Sequence, residues 1–232
     1  MKLAIMQPYF LPYVGYFQLI NSTNQFVIYD NIKYTKKGWI NRNRILVNSE
    51  PSYISLALKK DSDLKNVDER ELFDWNQNKK DLLNRIIASY NKSPYYKETI
   101  PLIKEILDYD NINLFIFLYN SVCLICNYLD IQTPIIISSL IDIDHSLKCN
   151  DKVLAICKEQ KCKTYINAIG GQELYTKEEF LKENIELKFI KTKNIVYQQF
   201  NNNFQSNLSI IDVLMFCGQE KTKLLLNEYD LI

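Results

Sequence analysis

The residues best equipped for chemistry in this 232-residue chain gather near its beginning. Gln7 follows the apolar run Leu3 to Met6 and precedes Pro8. Its amide therefore stands at a rigid turn, where it either faces a ligand or satisfies loop backbone groups. Asp30 closes a second apolar run, Phe26 to Tyr29. A carboxylate there can act as a general base once burial raises its pKa, although neighbouring lysines pull the other way. The next segment, Lys36 to Arg44, sets Arg42 and Arg44, two of the chain's four arginines, among Asn41, Asn43, Trp39 and Gly38. Guanidinium forks suit phosphate or carboxylate, and the indole of Trp39 offers a flat face to a base or sugar ring. The plainer alternative is a solvated basic loop anchored by Trp39. Two later positions join these. Lys59 ends the alternating run Tyr53 to Leu58, and Asn167 leads into Gly170-Gly171 after another apolar run. Paired glycines permit positive φ and close backbone approach to a ligand, or make an ordinary turn. As a phosphate loop this one lacks the Walker lysine and serine.

The elements that must position these groups follow from hydrophobic period. Leu3 to Met6, Phe26 to Tyr29, Pro134 to Ile137, Lys163 to Ile166 and Ile185 to Ile190 are expected strands. Tyr13 to Asn21 reads as a short helix, and 79–90, 95–107 and 113–129 recur at helical spacing, so a block of three helices occupies the middle of the chain. Asn150 to Lys161 is a helix with Asn150 as N-cap, and Thr176 opens another with Glu179 completing a capping box. The last helix runs from Ser209 to Asn227, with Ser209 as N-cap and Asp212 at N3. Strands alternating with helices indicate one α/β domain over residues 1–232, a mainly parallel Rossmann-like sheet flanked by helices, with a helical insertion at about 79–129.

Composition narrows the function. A net charge of +1 argues against coating nucleic acid. No apolar stretch reaches membrane-span length, and Gln7-Pro8 interrupts any signal-like opening, so the chain reads as cytoplasmic with six reduced, mostly buried thiols. Cys123-x-x-Cys126 lies in an apolar helical run and reads as core packing. His145, the lone histidine, stands among Asp142 and Asp144, either as an oriented base or, preferably, as a surface loop residue. Nothing resembles a catalytic triad or a metal cluster.

The strings Gln7-Pro-Tyr-Phe-Leu-Pro-Tyr-Val-Gly-Tyr-Phe17, Tyr29-Asp30, Gly38-Trp-Ile-Asn-Arg-Asn43, Tyr165 to Gly171 and Leu208 to Phe216 resemble the WbqC-like proteins of bacterial polysaccharide gene clusters. The resemblance implies a role in O-antigen or related lipopolysaccharide assembly, with acyl or aminoacyl transfer to a sugar nucleotide. The resemblance carries over no catalytic residues; by their places at strand ends Asp30 and Gln7 are the expected catalytic residues, Asp30 as base toward a sugar amine. The expected substrate-binding residues are Tyr9, Lys36, Trp39, Asn41, Arg42, Arg44, Lys59, Asn167, Gly170 and Gly171. The partners are a sugar nucleotide and an acyl or aminoacyl donor, with nucleic acid entering only as a charged tRNA donor; no cofactor is indicated. Pro12-x-x-Gly15-Tyr16 also looks like the His-x-Gly-His position of nucleotidyltransferases, but both histidines are missing. A divergent nucleotidyltransferase and a non-catalytic sugar-nucleotide-binding subunit therefore stand as alternatives.

In an open α/β sheet ligands sit beyond the carboxyl ends of the strands. Gln7, Asp30, Asn41 and Asn167 are accordingly expected to line one pocket. Lys59 joins them only if its strand is parallel, and no clear helix separates it from Arg44.

Overall fold

The computed structural model describes residues 1–200 and 203–232. The chain opens with β1 (Lys2–Met6), α1 (Val14–Asn21) and β2 (Gln25–Ile28). A hairpin follows, β3 (Arg42–Val47) and β4 (Glu50–Ser55), and then three helices, α2 (Trp75–Tyr90), α3 (Tyr96–Asp108) and α4 (Leu114–Tyr128). The second half contains β5 (Ile135–Ile137), α5 (Cys149–Glu159), β6 (Thr164–Ala168), α6 (Lys177–Lys182), β7 (Glu186–Thr192), α7 (Ile210–Leu225) and β8 (Tyr229–Leu231). The main sheet runs in the order β5-β2-β1-β6-β7-β8. Its first five strands are mutually parallel, and β8 is antiparallel to β7.

The strands read as continuous apolar runs because both faces of the sheet are covered. Leu3, Ile5, Val27, Tyr165, Leu187 and Phe189 pack on one face with Ile156 and Phe180. Ala4, Phe26, Ile28, Ile166 and Ile190 point the other way into the larger core, which α1, α7 and the three central helices share. Each fully buried Leu, Ile or Phe contributes about 1.5 to 3 kcal/mol. Building from β1 outward, the chain adds β2 and β5 on one side and β6 and β7 on the other. Adjacent crossovers thus leave β1 and β6 in opposite directions, opening a crevice at their carboxyl ends.

Several local expectations are corrected. The strand expected over Tyr53 to Leu58 is Glu50–Ser55, and it pairs antiparallel with β3 in a separate two-stranded sheet. No helix intervenes, so a tight turn reverses the chain, with Asn48 and Ser49 at φ 50° and 66°. Lys59 is therefore not on the rim of the main sheet. Asn150 does not cap α5, which begins at Cys149; its side chain donates to Glu179 Oε2 at 3.0 Å. With Glu179 so used, the box at Thr176 does not form. Ser209 does cap α7, accepting from Ile211 N, and Asp212 stands at N3 as expected, with its side chain turned into the core.

Gly218 breaks α7, at φ 68° and ψ 179°. That region is accessible essentially to glycine alone. A Cβ there would also meet Tyr95 Cδ1 at 2.5 Å. Gly218→Ala is expected to cost at least about 1 to 3 kcal/mol in chemical denaturation. Adding Tyr95→Ala should recover the steric part and leave the backbone part.

Candidate functional site

At the switch point Gln7 follows β1 and Asn167 lies near the end of β6. The backbone carbonyl of Gln7 accepts from Tyr16 Oη at 3.0 Å. Its half-buried side-chain amide has no hydrogen-bond partner among the described residues. Asn167 is buried and accepts from Ala168 N at 2.8 Å. Gly170 and Gly171 fall in the 3₁₀ segment Ile169–Leu174, and neither takes the positive φ expected of them. The second glycine serves close approach instead: a Cβ on Gly171 would stand 2.6 Å from Asn167 Nδ2, whereas Gly170 has open space.

Beside this rim lies a cavity of about 210 Å³ lined by Tyr9, Pro12, Tyr13, Trp39, Asn43, Arg44 and Asn207. Three segments build it, and backbone hydrogen bonds lace them together. Phe10 N donates to Trp39 O at 3.1 Å, Ser209 N to Arg44 O at 2.9 Å, and Ile210 N to Pro12 O at 2.9 Å. Asn43 fastens the turn by donating from Nδ2 to Phe10 O at 3.0 Å and Leu11 O at 2.8 Å. Leu11 takes φ 44°, a strained angle that these bonds hold. The walls are aromatic. Tyr13 folds its ring across Gly15, leaving no room there for a Cβ. Burial pushes the Tyr9 and Tyr13 phenols up, so both stay neutral donors at physiological pH. Arg44 supplies the charge: Nη2 donates to Asn207 O at 3.2 Å, and the guanidinium lies 5.7 Å from the Trp39 ring centroid. Its Nε is buried without a partner among the described residues.

The segment 36–44, expected as a donor-rich loop, is divided by strand geometry. Arg42 to Val47 is strand, so Asn43 and Ile45 turn inward while Arg42 and Arg44 share the outer face. Asn41 is internal scaffolding: it accepts from Tyr34 Oη at 2.8 Å and donates to Leu56 O at 2.9 Å. Arg42 donates to the Gly38 and Lys37 carbonyls and lies 4.5 Å from the Tyr53 ring centroid. Lys36 pairs with Asp63 and Lys59 with Glu71, both on the surface. Of the expected residues, this cavity brings together Tyr9, Trp39 and Arg44; Gln7, Asp30, Asn41 and Asn167 do not line it.

Asp30 belongs to a second polar group at the carboxyl ends of β2 and β5. It is buried, and both oxygens are occupied: Oδ1 accepts from Ser138 Oγ at 2.7 Å and Ser139 N at 3.0 Å, and Oδ2 from Ser139 Oγ. Asn31 stands next to it, accepting from Ser138 Oγ at 2.9 Å and Lys152 Nζ at 3.2 Å. His145 is half-buried rather than a free surface residue. Its Nδ1 meets Asn31 Nδ2 at 3.0 Å and its Nε2 the Ile141 carbonyl at 3.0 Å, a pattern that suits the neutral ring protonated at Nε2. Asp142 and Asp144 do not orient it; Asp144 accepts from Ser146 instead. Sequence reading missed Asn31, Ser138, Ser139 and Lys152. Ser138-Ser139 directly after an apolar strand was one available signal. The helical period of α5 was another, since Lys152 falls on the buried stripe with Val153, Ile156 and Cys157.

Among the described residues no group of three or more His, Cys, Asp or Glu is arranged to hold a metal ion, and no helix is long and apolar enough to cross a membrane. The six cysteines are free thiols, with Cys126, Cys157, Cys162 and Cys217 buried.

The chain is similar to the uncharacterized protein Rv1507c of Mycobacterium tuberculosis (strain ATCC 25618 / H37Rv), 24% identical over 221 residues that span 94% of this chain and 95% of that one. No solved structure matches it. The model of the WbqC-like protein family matches residues 7–224, a span that contains the rim, the whole cavity and the Asp30 group, and the chain belongs to that family.

Proposed function

We propose that this protein is an enzyme of bacterial surface-glycan biosynthesis that binds a sugar nucleotide and transfers an acyl or aminoacyl group to its amino sugar. The observation that carries the binding half is the cavity beside the switch point, where aromatic rings flank a guanidinium whose Nε has no partner among the described residues. Rings of Tyr9, Tyr13 and Trp39 suit a base or a sugar face, and Arg44 suits the diphosphate. Gln7, with its amide unpaired at the end of β1, reaches over the reacting end. Asp30 acts less as a base than as an orienting group, because both of its oxygens are already engaged by the Ser138 and Ser139 donors. It fixes the two serine hydroxyls and sets the field around Lys152.

A second reading, a subunit that holds the nucleotide-linked sugar without turning it over, is favoured by the same saturation of Asp30. The two separate in one assay. Incubating the full chain with amino-sugar nucleotides and acyl or aminoacyl donors should add the mass of one acyl group to the sugar nucleotide by mass spectrometry. Binding without any mass gain across the donor panel would leave the subunit reading.

A further inference from the structure

Next to the saturated Asp30 carboxylate lies one that is not. Asp68 sits in the 3₁₀ turn Val67–Glu69, which Asn66 and Glu69 close with a capping box. The turn is tied to the segment after β2, with Val67 N donating to Ile32 O at 3.0 Å and Tyr34 N to Lys65 O at 3.2 Å. Asn113 Nδ2, at the start of α4, donates to the Asp68 carbonyl at 2.7 Å. Held in this way, Asp68 keeps Oδ1 buried with no hydrogen-bond partner among the described residues. A buried acceptor without a donor is destabilising, and functional sites are where such groups persist. Burial, and then the charges of Asp30 and Glu69, push its carboxyl up, against the pull of the backbone N–H groups of Asp68 and Glu69 close to it.

Lys152, in the first turns of α5, lies within electrostatic reach of both carboxylates. It is 6% exposed. Of its three ammonium protons one goes to Asn31 Oδ1 at 3.2 Å, and the group lies 5.1 Å from the Tyr29 ring centroid. No ion pair joins it to Asp30 or Asp68 among the described residues. A fold that needed only charge balance would bring the two together. Here the acceptor and the donor stay apart, each with unused bonding capacity, beyond the carboxyl ends of β2 and β5.

We propose that Asp68 and Lys152 are the ligand-facing pair of a binding site at the ends of β2 and β5, with Asp68 Oδ1 accepting from a ligand amine and Lys152 donating to an oxygen beside that amine. An amino sugar, with amine and hydroxyl on adjacent carbons, carries this complement; the identity of the ligand rests on the function proposed above, and the paired geometry does not. The Asp30, Ser138 and Ser139 group forms the fixed wall behind it.

The test uses the full chain and five probes: UDP, UDP-glucosamine, free glucosamine, and the hydroxyl counterparts UDP-glucose and glucose. Asp68→Asn keeps the shape and removes the buried charge. It should raise the thermal midpoint at neutral pH, leave UDP affinity unchanged, and weaken UDP-glucosamine and glucosamine on the order of tenfold or more by calorimetry. Lys152→Met should weaken the same two probes and again spare UDP. If wild type binds glucosamine through Asp68 but does not bind UDP, the cavity reading fails and this inference stands. If wild type binds neither amine probe better than its hydroxyl counterpart, or Asp68→Asn binds both as wild type does, the inference is overturned, whatever UDP does.

Discussion

Asp212→Ala should be severely destabilising, costing about 3 kcal/mol or more. Asp212 is 0% exposed, and its carboxylate accepts from Tyr90 Oη at 2.8 Å, Tyr197 Oη at 2.6 Å and Gln199 Nε2 at 2.6 Å. Tyr90 Oη in turn accepts from Leu46 N at 2.9 Å, so one carboxylate joins α7, α2, the hairpin and the segment before α7. Removing it leaves three buried donors unpaired, at about 1 to 3 kcal/mol each. At roughly 2 to 4 °C per kcal/mol for a chain of this size, the thermal midpoint should fall by about 6 to 12 °C or more. Asp212→Asn keeps the shape and should cost less. Neither variant titrates at this position, so both lose the pH dependence that the wild-type carboxyl carries. Burial raises the Asp212 carboxyl above its ordinary range, against the pull of its three donors. The native state then holds more protons than the unfolded one between the two pKa values, and stability falls as pH rises through that window. Asn has no such proton, so the advantage of wild type over Asp212→Asn should be largest in acid and shrink toward neutral pH. An advantage that grows with pH would show that the carboxylate, not the acid, is the favoured native form.

Arg44→Ala should weaken sugar-nucleotide binding by about 1.5 to 3 kcal/mol, on the order of tenfold to a hundredfold, because a charged donor is lost from the aromatic cavity. Folding should change little. The side chain gives the fold one bond to Asn207 O, while the Arg44 carbonyl keeps its bond from Ser209 N. Arg44→Lys should recover only part of the affinity, since the charge returns without the planar fork. Arg42→Ala is the internal control. Its guanidinium serves the Gly38 and Lys37 carbonyls and the Tyr53 ring, so it should cost stability and leave affinity nearly intact. Calorimetry and thermal unfolding on the same preparations separate the two. An affinity loss at Arg42 with none at Arg44 would place the ligand outside this cavity.

What the amino-acid order determined by itself is the layered sheet and much of its rim. Leu3 to Met6, Phe26 to Tyr29 and Ile185 to Ile190 are legible as strands because a parallel sheet covered on both faces needs apolar residues at every position. The three central helices are legible because one stripe of each must be buried. Gln7 and Asn167 are legible as rim positions because each polar residue interrupts a buried run. Of the hairpin, the alternating run Tyr53 to Leu58 disclosed the second strand, and the first strand was not legible. Arg42-Asn43-Arg44 disguises its alternation, since the inward position carries an amide whose partners, Phe10 O and Leu11 O, lie more than thirty residues back. Strand order was out of reach for a related reason. Hydrophobic period says which face of a strand is buried, while crossover direction sets β1 beside β6 and so places the crevice. The tertiary structure alone decided which polar groups are spent and which are free. Asp30 and Asp68 are the same residue type, yet Asp30 is saturated by serines 108 and 109 positions later and Asp68 keeps an unpaired oxygen. Hydrogen-bond satisfaction is a property of through-space neighbours, and only the folded chain supplies them.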